Sequence, residues 1–249
     1  MLPKIGKYPF KAEAFRCNML GYLPYQQMGN YMLDAADLHA NERDFGMTYL
    51  MPRNLAWVLS RFSVEFTTMP RPAEPFTIET WVESTMRLFT SRNFRVTSGD
   101  HVCGYGRSVW AMIDTATRQP ANILAVRDGE MTQWVDATIE CPIDPPAKFR
   151  FTQQQRLVRT LETRFSDADI NGHINSMRYI EHVLNLFNPE WHREHFVRRL
   201  DVSYMVESHC GDVLNFYLEE SADAIGVRVT KNAAGTPDEA DACRCRILI

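Results

Sequence analysis

Cys141-Pro142-Ile143-Asp144-Pro145-Pro146 is the stretch that divides this 249-residue chain. Its prolines cannot continue a helix or sit in a central strand, so one run of structure stops here and another starts. Outward from the break, each side shows a helical stretch followed by alternating strands. The first helix is expected over residues 24–41, with Met28, Met32, Ala35 and His39 on one stripe. The second is expected over 175–187, with Met177, Ile180, Leu184 and Phe187 on one stripe. Similar strands follow them: Arg61-Phe62-Ser63-Val64-Glu65-Phe66 and, 138 positions on, Arg199-Leu200-Asp201-Val202-Ser203-Tyr204. Alternation marks further strands over 76–82, 87–97 and 102–113, then 213–218, 225–229 and 243–249. Strands follow one another without intervening helices, which argues against a parallel doubly wound sheet. The expected fold is α+β, two tandem copies of a long helix wrapped by a curved antiparallel sheet, over 1–144 and 145–249.

Composition narrows the function. Apolar residues make up 45% and charged residues 23%, a globular balance that excludes disorder, collagen and coiled coil. A net charge of −4 argues against nucleic acid as a partner. No stretch approaches the ~18 apolar residues of a membrane span, and the first residues lack a signal-type apolar run, so a cytoplasmic protein is expected. Cys17, Cys103, Cys141, Cys210, Cys243 and Cys245 contain no C-x-x-C pair. They are expected to be thiols in a reducing compartment, with no metal.

The chemistry concentrates in Arg164-Phe165-Ser166-Asp167-Ala168-Asp169-Ile170-Asn171-Gly172-His173-Ile174-Asn175, just before the second helix. Asp169, Asn171 and His173 crowd a helix entrance with groups able to orient water and a carbonyl. Asn175 or Ser176 is the candidate N-cap, and the first-turn amides favour a nearby oxyanion. Gly172 permits a tight backbone. Matching Tyr31 and Met32 to Tyr179 and Ile180 sets the polar trio opposite Gly21, Leu23 and Tyr25. The 138-residue offset sets Glu207 opposite Met69. The first copy then has the scaffold without the ionisable groups. Simple alternation along the strand turns Glu207 and Cys210 to opposite faces, and turns Glu207 away from Leu200, Val202 and Tyr204.

On the 166–175 block, the later Tyr204-Met205-Val206-Glu207 and Gly211-Asp212, and the tandem organisation, the chain resembles the plant and bacterial acyl-acyl-carrier-protein thioesterases. The resemblance implies two hot-dog folds and hydrolysis of a fatty acyl thioester. It implies no cofactor and an acyl carrier protein as partner, and it puts the catalytic groups on Asp169, Asn171, His173 and Glu207. Plant members carry a cysteine after the glutamate. Ser208 stands here instead, which argues against a thiol nucleophile. Which of Asp169 and Glu207 is the general base stays open, as do chain length, saturation and whether carrier protein or coenzyme A presents the substrate. Rival expectations are an acyl-CoA thioesterase, a hot-dog hydratase or dehydratase, a metal hydrolase, and an acyl-thioester-binding regulator. Ten of the twelve methionines lie before the break, which suggests acyl-chain contacts in the first copy, with Met28, Met32 and Met69 as candidates. His39 is expected to be a core histidine. Carrier docking is expected on Lys148, Arg150 and Arg156, in a segment where Arg159 and Arg164 add charge against Glu162 alone. Arg193, Arg198 and Arg199 form a second basic candidate. Sheet-to-sheet pairing makes a homodimer an expected assembly.

Overall fold

Each helix of the repeat is preceded by a further strand: β1, Gly6–Lys11, whose burial alternates, and β6, Arg156–Glu162, whose burial does not. β6 escapes the pattern because most of it is exposed on both faces. The computed structural model describes residues 2–146, 150–152, 154–221 and 224–249, in two compact units, Met1–Pro145 and Pro146–Ile249. In unit 1, β1 leads to α1 (Tyr25–Asn41) and α2 (Met47–Leu50). Four strands follow: β2 (Leu55–Phe66), β3 (Pro75–Thr85), β4 (Phe89–Ser98) and β5 (His101–Asp114). In unit 2, β6 leads to α3 (Ser176–Leu184) and α4 (Pro189–Glu194). β7 (Arg199–Tyr204), β8 (Val213–Glu220), β9 (Ile225–Lys231) and β10 (Ala240–Leu248) follow. Both sheets are antiparallel and share one strand order, β2-β5-β4-β3-β1 in unit 1 and β7-β10-β9-β8-β6 in unit 2.

Main-chain hydrogen bonds align the copies residue by residue. Ala12 N bonds Glu74 O as Thr163 N bonds Asp212 O, and Leu23 N bonds Pro70 O as Ile174 N bonds Ser208 O. The offset is therefore 151 up to the helix start and 138 from β2 onward. The difference of 13 residues is absorbed after the helix start, where α1 has 17 residues and α3 has 9. α3 is shorter than expected. It ends at Leu184, and Phe187 leaves the apolar stripe to stack on Trp191 at 4.2 Å.

In unit 1, Met28, Met32 and Ala35 of α1 lie in the core, as do Phe62, Val64, Phe66, Ile78, Phe94 and Val96 of the sheet. Gly106 faces this stripe closely: a Cβ there would stand 3.1 Å from the Met32 sulfur, which would have to give by a few tenths of an ångström. His39 is a core residue, 1% exposed, with Nε2 3.0 Å from the Lys4 carbonyl. The proline break does not hang free: Cys141 and Ile143 pack on Trp81, and Arg107 donates to the Cys141 carbonyl at 2.8 Å. Cys103, Cys141, Cys243 and Cys245 are buried, whereas Cys210 is exposed. No helix among the described residues is long and apolar enough to cross a membrane.

Candidate active site

Two loops of unit 2 build the site. The first, residues 163–175, is shaped by its own carboxylates. Asp167 Oδ2 accepts from Arg164 N at 2.8 Å, Oδ1 lies 3.0 Å from His182 Nε2 on α3, and the Asp167 carbonyl accepts from Asn175 N. These bonds fasten the loop to the helix it precedes. Asp169 then closes a tight turn. Its Oδ1 accepts from Asn171 N at 2.8 Å and His173 N at 3.2 Å, while Asp169 N bonds the His173 carbonyl. Gly172 sits at φ 78, the left-handed region that other residues enter only with strain. Asn175 caps α3, accepting from Met177 N at 2.8 Å. That amide is therefore taken, and the expected oxyanion position at the first turn loses one of its donors.

The second loop, residues 205–212, follows β7. Strand parity does not apply to Glu207, because β7 ends at Tyr204 and the chain beyond is irregular. Ile174 N bonds Ser208 O, and His173 and His209 form a bridge that lays the two loops side by side. Glu207 Oε2 thereby comes 3.3 Å from His173 Nε2, with the two side chains 34% and 26% exposed. The His209 ring meets that of His173 edge to face, centroids 5.1 Å apart.

The expected site residues therefore separate by what they touch. His173 and Glu207 are in contact. Asp169 holds the backbone around them, its carboxylate bonding the Asn171 and His173 amides and making no hydrogen bond to the His173 ring. Asn171 is exposed at the tip of the turn. Cys210 makes no hydrogen bond to His173, and Ser208 is buried. Among the described residues no three His, Cys, Asp or Glu side chains gather as a metal site would need. Sequence reasoning missed His209, Asp167 and His182. It also missed Lys231 of β9, whose Nζ donates to the Glu207 carbonyl at 2.7 Å. Lys231 lies 24 residues from Glu207 and carries no local signal.

The first copy makes the same turn from other residues. Asn18 Oδ1 accepts from Leu20 N at 3.0 Å and Tyr22 N at 3.4 Å, and Asn18 N bonds the Tyr22 carbonyl. The true counterparts of Asp169, Asn171 and His173 are thus Asn18, Leu20 and Tyr22, not Gly21, Leu23 and Tyr25. Matching the helices by their tyrosines misses this, because the helix starts, Tyr25 and Ser176, differ by 151 residues. Met69 remains the counterpart of Glu207, one residue before the Pro70–Ser208 match.

The other candidates fall elsewhere. Met28, Met32 and Met69 are buried in unit 1. A surface groove of about 600 Å³ in that unit is lined instead by residues 2–8 with Glu42, Arg43 and Asp136. Arg150 and Arg156 are exposed, whereas Lys148 lies outside the described residues. Arg199 is no docking residue: it is buried and forks onto Asp201, with Nη2 to Oδ1 at 2.7 Å.

The model of the acyl-ACP thioesterase N-terminal domain matches residues 7–126, and that of the acyl-ACP thioesterase C-terminal domain matches 151–244. A solved acyl-ACP thioesterase from Bacteroides thetaiotaomicron is 41% identical, with TM-score 0.89 over 98% of this chain and 97% of that one. The 12:0-ACP thioesterase from Umbellularia californica is 18% identical and shares the fold, with TM-score 0.83 over 100% of this chain and 98% of its own. The oleoyl-acyl carrier protein thioesterase of Coriandrum sativum is 25% identical over 185 residues, 68% of this chain and 48% of that protein. The chain spans about half the length of the curated relatives it matches.

Proposed function

Because the chain belongs to the acyl-ACP thioesterase family, we propose that it hydrolyses fatty acyl thioesters of an acyl carrier protein to free fatty acid and carrier thiol. The observation that carries this is the 3.3 Å contact between His173 and Glu207, at positions that are Tyr22 and Met69 in the first copy. With Nε2–H donated to Glu207, Nδ1 of His173 is left to accept a proton from water. The water oxygen adds to the thioester carbonyl carbon, and the carbonyl electrons move onto oxygen. The side-chain amide of Asn171 donates to that oxyanion. Collapse breaks the C–S bond, and the leaving thiolate recovers the proton from the imidazolium. Asp169 holds the turn that presents both groups. Unit 2 supplies the chemistry in this proposal and unit 1 the acyl-chain contacts, through Met28, Met32 and Met69. Arg150 and Arg156 attract the acidic carrier, with Lys148 as a third candidate.

Thiol release from acyl-carrier and acyl-coenzyme A substrates of graded length tests this. General acid–base groups contribute ~10²–10⁴ in rate, so His173→Ala and Glu207→Gln should each lose more than about tenfold. Wild-type turnover in either variant removes the mechanism.

A further inference from the structure

Glu207 has no strand to hold it. It rides on the irregular stretch between Tyr204 and the turn at 209–212, yet its carboxylate must meet an imidazole fixed on another loop. Its main chain is gripped by a different element. Lys231, the last residue of β9, donates from Nζ to the Glu207 carbonyl at 2.7 Å. The same ammonium stands 3.8 Å from Asp212 Oδ2, and Asp212 Oδ2 accepts from His209 N at 2.9 Å. The Thr163 hydroxyl closes the arrangement, donating to the carbonyls of His209 at 2.7 Å and Asp212 at 3.0 Å. The Lys231 side chain is only 19% exposed, so its charge-assisted hydrogen bond is largely screened from competing water.

The first copy supplies the comparison. Asn215 pairs with Thr230 as Thr77 pairs with Thr97, which sets Lys231 opposite Ser98. Ser98 bonds Glu74, the counterpart of Asp212, and donates to the Pro75 carbonyl at 2.9 Å. Unit 1 therefore keeps the acidic residue of the turn. Where Glu207 becomes Met69, however, the lysine becomes a serine, which does not bond the Met69 carbonyl. The lysine accompanies the glutamate.

We infer that Lys231 is a positioning residue that sets Glu207 against His173, a role that rests on the hydrolase proposal above. Misplacement of a reacting group by ~1 Å can cost ~10² in rate without altering ground-state binding. The test uses Lys231→Met and Lys231→Arg in the full chain, alone and with Glu207→Gln. Substrates are an acyl carrier and a small soluble acyl thioester. Lys231→Met should lower kcat by about tenfold or more on both substrates, with KM within about twofold of wild type. Lys231→Arg should recover most of the loss, and adding Lys231→Met to Glu207→Gln should cost nothing further. Wild-type kcat in Lys231→Met, a loss confined to KM, or full additivity with Glu207→Gln overturns the inference. Should Lys231→Met fail to melt as a folded protein, Lys231→Ser, the residue of the first copy and too short to replace the ammonium at the Glu207 carbonyl, is judged by the same criteria. Absence of thiol release by the wild-type protein would instead remove the hydrolase proposal itself.

Discussion

Asp169 and Asn18 accept from the same two amides of the same turn, one with a carboxylate oxygen and the other with an amide oxygen. The turn therefore needs an acceptor at that position and not a charge. Asp169→Asn should keep turnover within about fourfold of wild type, whereas Asp169→Ala, which removes both bonds at ~1 kcal/mol each, should lose more than about tenfold. Steady-state thiol release on the two variants decides the point. A dead Asp169→Asn protein would show that the negative charge itself takes part. Glu207 differs, because its carboxylate meets the imidazole ring directly.

The turn and the helices carry their own predictions. A Cβ on Gly172 would meet nothing within 4 Å, so the cost of Gly172→Ala is backbone strain alone at φ 78. Left-handed geometry costs ~1–2 kcal/mol for a residue with a Cβ, and the urea midpoint should fall accordingly. In α1, burial and then the nearby Arg92 and Arg43 push the pKa of His39 down to about 2. A group whose folded pKa lies below its unfolded value binds more protons when unfolded. Stability therefore falls as pH drops below the unfolded value, ~6.5, toward the folded one. Between pH 7 and pH 5 this one residue should remove about 2 kcal/mol of stability. His39→Gln should show a shallower decline in denaturant midpoint over that interval. An equal decline would mean that His39 takes up a proton without unfolding the protein.

At the level of the whole molecule, the two copies divide the proposed labour. Met32 lies over Gly106 in the core of unit 1, and on the proposal that the acyl chain enters that core, added bulk there leaves less room for it. Met32→Phe should shift the released fatty acids toward shorter chains, with turnover on a short acyl carrier within about threefold of wild type. An unchanged product profile would take the acyl chain out of that core. Arg150→Glu with Arg156→Glu should raise KM for the carrier-borne substrate and flatten its salt dependence. Turnover of a small soluble thioester should stay unaltered. Equal KM with and without the reversal would move docking elsewhere.

Legibility differed by the range of the signal. The tandem organisation, the helix stripes and the long strands follow from local periodicity, and the 166–175 block marks a capped helix entrance crowded with polar groups. β6 is not legible because most of it is exposed, whereas β1 alternates, Tyr8 and Phe10 against Lys7, Pro9 and Lys11, but is only six residues long and interrupted by a proline. The pairing of the two turns is missed because Tyr31 lies six residues past the start of its helix and Tyr179 three past the start of the other, so a match made on those tyrosines slides by three residues.

The amino-acid order by itself determined two antiparallel α+β copies, with the Asp169-x-Asn171-x-His173 block in the second alone, because periodicity, proline breaks and turn chemistry act between near neighbours. Only the tertiary structure decided that Glu207 meets the His173 ring while Asp169 holds backbone, and that Lys231 grips the glutamate loop. The two contacts of Glu207 join residues 34 and 24 positions apart, across loops whose course is set by the packing of the sheet and not by any local preference.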